Sequence, residues 1–126
     1  MEFVQTKNAP SAIGPYSQAI AVNGMVYTSG QIALKPDGSD ELLNEDVVVQ
    51  AVQVLRNLEA VLTEAGSAMN QVIKTTIFLA NMDDFATVNE IYAEAFGSHK
   101  PARSTVAVKT LPKNALVEID AVALIN

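Results

Sequence analysis

The chain has 126 residues, none of them cysteine, and carries 14 acidic against 8 basic side chains for a net charge of −6. That length fits one domain, residues 1–126, able to bury a real core, and the lack of cysteine excludes disulfides, thiol catalysis and cysteine metal sites. The basic residues Lys7, Lys35, Arg56, Lys74, Lys100, Arg103, Lys109 and Lys113 are scattered, whereas binding a polyanion calls for a stripe or patch that neutralises phosphates, so nucleic acid is a disfavoured partner.

The N-terminal run Met1–Lys7 has no basic segment followed by an apolar one, so no signal peptide is visible and a cytoplasmic location is expected. No apolar run approaches the roughly 18 residues of a membrane span. Ala19 to Val22 and Met25 to Ser29 flank Asn23-Gly24, which predicts a β-hairpin, and Pro36-Asp37-Gly38 marks a further turn. From Asp46 to Ala65 apolar residues recur at Val48, Val52, Leu55, Leu58 and Leu62, with Val47, Ala51 and Val61 beside them, the stripe of an amphipathic helix. Asn44 is its expected N-cap and Gly66 its stop. Val72 to Leu79 reads as a buried strand. A second helix is predicted over Asp84 to Phe96, with Phe85, Val88, Tyr92 and Ala95 on one face and Gly97 ending it. Residues 102–111 and 116–125 read as two strands joined by a Pro-Lys-Asn turn.

This order predicts an α+β architecture in which two helices cover one face of a mixed sheet. The last strand is apolar on both sides, so the second sheet face is apolar too. A monomer would expose it as a large patch, and self-association is expected.

Two charged groups in the C-terminal strands stand out. Glu118 lies between Leu116 and Val122 on one face of its strand, and a carboxylate there is costly unless a partner or ligand needs it. Arg103 can clamp a carboxylate through two parallel hydrogen bonds. Each has a structural alternative. Arg103 could pair with Asp120 or Glu118. Glu118 could sit opposite Lys109 if the turn centres on Lys113-Asn114, or near Thr105 and the arginine if the loop is wider. Lys74 reads as a strand lysine reaching solvent or a carboxylate. The lone histidine, His99, lies in a polar loop, and with no cysteine a transition-metal site is not expected. Ser29 has no histidine to activate it as a nucleophile.

The run Pro101-Ala102-Arg103-Ser104-Thr105-Val106, then Leu111-Pro112 and Val117-Glu118-Ile119, resembles the signature of the RidA (YjgF) family. Ala12-Ile13-Gly14-Pro15-Tyr16-Ser17-Gln18, Tyr27-Thr28-Ser29-Gly30-Gln31-Ile32 and Asp84-Phe85-Ala86-Thr87-Val88-Asn89 resemble its other motifs, in the family's order and over the whole chain. The resemblance implies a chorismate-mutase-like fold and a homotrimer with a central barrel-like core and ligand sites between subunits. It also implies hydrolysis of reactive enamine and imine acids, such as 2-iminobutanoate and 2-iminopropanoate, to 2-oxo acids and ammonia, without a cofactor or metal. Glu118 and Arg103 would be catalytic, and Arg103, Tyr16, Ser29, Gly30, Asn89 and Thr105 would bind substrate. Many relatives carry cysteine where Thr105 stands, so thiol-dependent behaviour does not transfer. The loop before Pro101 is also short beside several relatives. Alternatives are a metabolite-binding or regulatory protein of the same fold and, ranked last on charge, an endoribonuclease or translation inhibitor.

Overall fold

The computed structural model describes all 126 residues, Met1–Asn126. Six strands, β1 (Glu2–Val4), β2 (Ala19–Val22), β3 (Met25–Thr28), β4 (Val72–Leu79), β5 (Ala102–Ala107) and β6 (Val117–Leu124), form one mixed sheet with α1 (Val47–Glu64) and α2 (Phe85–Phe96). The predicted hairpin is present. Asn23 and Gly24 both take positive φ, 52° and 76°, which matches the right-handed twist of the flanking strands. Strand β1 was not predicted, because three residues are too few to show a period.

Helix α1 starts later than its composition indicates. Asp46, not Asn44, is the N-cap, its carboxylate accepting the Val49 N–H at 3.0 Å, while Asn44 closes a short 3₁₀ turn. Gly66, at φ 86°, ends the helix: its N–H reaches the Thr63 carbonyl at 3.0 Å and the Ser67 N–H reaches Leu62 at 2.9 Å.

The strand order is β1-β2-β3-β6-β4-β5, and it corrects the expected placement of the last two strands. They are not a hairpin. β5 runs parallel to β4 after the α2 crossover, and β6 inserts antiparallel between β3 and β4. β5 also stops at Ala107 rather than at residue 111, since β4 ends at Leu79 and offers no further partner beyond the Val108 N–H bond to the Leu79 carbonyl. Glu118 is therefore opposite Phe78, and neither Lys109 nor Thr105 is its cross-strand neighbour.

Both helices cover one sheet face. Val54, Leu58, Val61 and Leu62 of α1 pack in one core with Val26, Ile77, Leu79, Val117 and Ile119. Each fully buried side chain of this kind contributes about 1.5–3 kcal/mol. The other face is uncovered. Side chains opposite one another in register share a face, which sets Phe3, Ile20, Tyr27 and Val122 in one row and Glu118, Phe78 and Val106 in another. Phe3 is 71% exposed, and Tyr27, Val106 and Leu124 lie between 41% and 46%. The apolar second face expected from the alternation of β6 is thus present. No helix is long and apolar enough to cross a membrane.

Candidate functional site

The seven site residues expected from sequence fall into two groups. The first surrounds a cavity of about 550 Å³ lined by Tyr16, Ser29, Gly30, Lys113 and Glu118, among others. Gln31, just past the end of β3, forms a two-way bridge with Ile119: its N–H donates to the Ile119 carbonyl at 2.9 Å and its carbonyl accepts at 3.1 Å. This bridge lays Gly30 directly on the Glu118 side chain. A Cβ at position 30 would stand 2.7 Å from the Glu118 carboxyl carbon, so only glycine fits without displacing that carboxyl. Ser29 donates its hydroxyl to the Ser17 carbonyl at 2.5 Å, so it ties the Tyr16 loop to β3. Tyr16 is 55% exposed at the rim.

Three buried amides hold these walls, and the sequence pattern flagged none of them. Gln18 accepts the Thr6 N–H at 2.7 Å and donates to the Pro10 carbonyl at 2.7 Å. Gln50 of α1 accepts the Leu116 N–H at 2.9 Å, two residues before Glu118. Asn57 donates to the carbonyls of Ile32 at 3.2 Å and Leu34 at 2.8 Å. Gln50 and Asn57 are both fully buried, and that is legible as a signal: two amides on the apolar side of a helix need backbone partners.

Glu118 is half-buried, and burial raises its carboxyl above the ordinary value, with repulsion from Asp120 adding to the shift. Asp120 is raised by burial as well, an effect opposed by a Thr76 backbone hydrogen bond and by Lys74. Lys74 donates to the Ser104 hydroxyl at 3.0 Å on the same open face.

The second group surrounds Arg103. Its position opposite Thr75 and Ala121 turns it towards the helices, where Nη1 donates to Asn89 Oδ1 at 2.7 Å. The guanidinium carbon lies 4.9 Å from the Tyr92 ring centroid and 5.6 Å from that of Phe85. Phe85, Asn89 and Tyr92 are spaced i, i+4, i+7 on α2, so one helix face supplies the whole cage. The cage is neutral. The one ion pair in the chain joins Lys35 to Glu41, so Arg103 pairs with neither Asp120 nor Glu118. Its remaining donors are available to an anion. Sequence reasoning placed Phe85 and Tyr92 on one face of the second helix and missed this role.

Thr105 follows Arg103 on the helix side. Its hydroxyl is buried without a partner, beside a niche that has no room for a water molecule. His99 Nε2 lies 2.6 Å from the Val72 carbonyl, so that nitrogen carries the proton.

Arg103 and Glu118 consequently occupy opposite faces of the sheet. The fold brings Tyr16, Ser29, Gly30 and Glu118 together, and separately Arg103, Asn89 and Thr105, but does not join the two groups within one chain.

The comparisons with known proteins agree with the fold and motifs. The family profile described as Endoribonuclease L-PSP matches residues 6–125. A RutC family protein of Synechocystis is 53% identical, the match covering 99% of this chain and 97% of that one. The mouse protein named 2-iminobutanoate/2-iminopropanoate deaminase is 48% identical over 98% of this chain and 90% of its own. The crystal structure of Escherichia coli TdcF with bound serine superimposes with a TM-score of 0.93 at 40% identity, covering both chains fully. With its α+β fold, its motifs in order and matches along its whole length, the chain belongs to the RidA (YjgF) family.

Proposed function

We propose that this protein is a hydrolytic deaminase of reactive imino acids, working at sites shared between copies of the chain in a homotrimer. The observation that carries this reading is the pairing of an un-neutralised Arg103 with a perturbed carboxyl, Glu118, on opposite faces of one sheet whose open face is apolar. A second copy covering that face would bury the exposed patch and set the Arg103 cage of one chain beside the Glu118 cavity of the next.

In such a site Arg103 holds the carboxylate of a 2-imino acid and so fixes the C=N carbon beside a water molecule. As the water oxygen adds to that carbon, its proton passes through Glu118 to the nitrogen. The hydroxyl proton of the tetrahedral adduct is then relayed through Glu118 to the same nitrogen as the C–N bond breaks, so that C=O forms and ammonia leaves. A carboxyl held above the ordinary range is, once ionised, a stronger base than a free carboxylate, which suits it to take up and return this proton. Asn89 orients the guanidinium, Tyr16 closes the rim, and Ser29 and Gly30 supply backbone groups against the reacting centre. Thr105 acts through its backbone, its hydroxyl being shut in the dry niche. Imines already hydrolyse in water, so positioning and one proton relay are enough. The deaminase name of the mouse relative and the bound serine of TdcF, a small amino acid with the same carboxylate, support the substrate class. The net charge of −6 and the scattered basic residues weigh against RNA as substrate.

The test is release of pyruvate and ammonia from freshly generated 2-aminoacrylate, with and without the protein. Acceleration above the spontaneous rate is expected. Binding of 2-oxo acids without acceleration would instead identify a metabolite receptor. Sedimentation should give a species of about 40 kDa, three times the 13.4 kDa chain, and a stable monomer at micromolar concentration would remove the shared site.

A further inference from the structure

We propose that Thr75 and Tyr92 form a positioning pair that fixes the Arg103 guanidinium, an inference that rests on Arg103 being the carboxylate clamp. Thr75 is fully buried in β4 and stands directly opposite Arg103 in the parallel register. Its hydroxyl lies 2.7 Å from the Tyr92 hydroxyl, and Tyr92 is only 6% exposed. The phenol is thereby tied to the sheet at its far end while its face lies 4.9 Å from the guanidinium carbon. A ring anchored at both ends cannot tilt away from the cation.

The other cage members lack such an anchor. Phe85 is 38% exposed and has no polar group to hold it, and Asn89 reaches one guanidinium nitrogen only. Phe96 also packs on Tyr92, with ring centroids 4.5 Å apart and the planes tilted by 39°. Tyr92 is therefore the rigid wall of the cage, and the strand that carries it in place is the one beside Arg103 itself. Burial pushes the phenol pKa up despite the opposing effects of Thr75 and Arg103, so the hydroxyl keeps its proton at neutral pH. The pair matters because a bidentate clamp depends on orientation: a guanidinium free to swing presents the same charge but loses the fork geometry.

The chain has two arginines, Arg103 and the exposed Arg56, so side-chain ¹⁵Nε relaxation can follow the clamp with an internal control. In the intact protein Arg103 should show an order parameter near the rigid value of about 0.85, and in Tyr92→Phe it should fall below about 0.6 while Arg56 stays as before. Thr75→Val should reproduce the loss, Thr75→Ser should restore the order, and the double variant Thr75→Val, Tyr92→Phe should be no worse than either single change. In steady-state assays Tyr92→Phe should raise KM about fivefold, the worth of one net hydrogen bond, with kcat within about twofold. If Arg103 stays rigid in Tyr92→Phe, or if kcat falls while KM holds, the pair does not position the clamp. Should Tyr92→Phe fail to fold, Thr75→Val decides the question from the strand side. Failure of the intact protein to bind a 2-oxo acid would overturn the clamp reading instead, and the relaxation data would still decide the pair.

Discussion

Glu118→Gln should slow imine hydrolysis by about a hundredfold or more while leaving 2-oxo acid binding as tight as in the parent or tighter. Glutamine keeps the shape that fits beneath Gly30 but cannot pass a proton near neutral pH, and it removes a negative charge from the neighbourhood of an anionic ligand. Stability separates this role from a structural one. The Glu118 carboxyl is raised in the folded chain by burial and by Asp120. Between the ordinary carboxylate value and the raised one, the folded state holds more protons than the unfolded state, so stability falls as pH rises through that window. At neutral pH the ionised side chain is thus a net cost to folding, and Glu118→Gln relieves it. Thermal unfolding at pH 7 should show the variant at least as stable as the parent, with the difference vanishing below the ordinary carboxylate pKa. An unfolded or dissociated variant would mark Glu118 as a structural partner.

Arg103→Lys should raise KM by about tenfold or more although the charge is kept. A charge-assisted, two-point hydrogen bond contributes about 1.5–3 kcal/mol, and each 1.4 kcal/mol is a factor of ten. Lysine offers a point donor without a planar face, so it loses both the fork and the stacking between Phe85 and Tyr92. Titration with a 2-oxo acid and with its amide should show discrimination in the parent that largely disappears in the variant. Equal KM for the two proteins would mean that guanidinium geometry is irrelevant.

The helices, the hairpin and the apolar second face were readable because each is a periodic pattern of many residues. The pairing of β5 with β4 was not read from sequence, although a strand–helix–strand order points to parallel neighbours. Two adjacent apolar runs with a turn between them look like a hairpin to any local criterion, and only the competition among all six strands decides that β6 takes the place beside β4. That one topological choice separates Glu118 from Arg103. The site residues themselves were legible by motif; of their supports, Gln50 and Asn57 left a trace as amides on the apolar side of α1, but the identity of their backbone partners, up to 66 positions away, did not.

Under the proposed mechanism, the placement of clamp and carboxyl on opposite sheet faces leaves no single chain with a complete centre. Two defective proteins should therefore rescue each other. Arg103→Lys carries an intact Glu118 and Glu118→Gln an intact Arg103, so co-refolding equal amounts lets mixed assemblies pair a sound clamp from one chain with a sound carboxyl from the next. With random assortment in a closed ring, about one quarter of the centres receive both intact groups, and at substrate well below KM about that share of the parental rate should reappear. A mixture no faster than its components would mean that the two groups never meet across a subunit boundary.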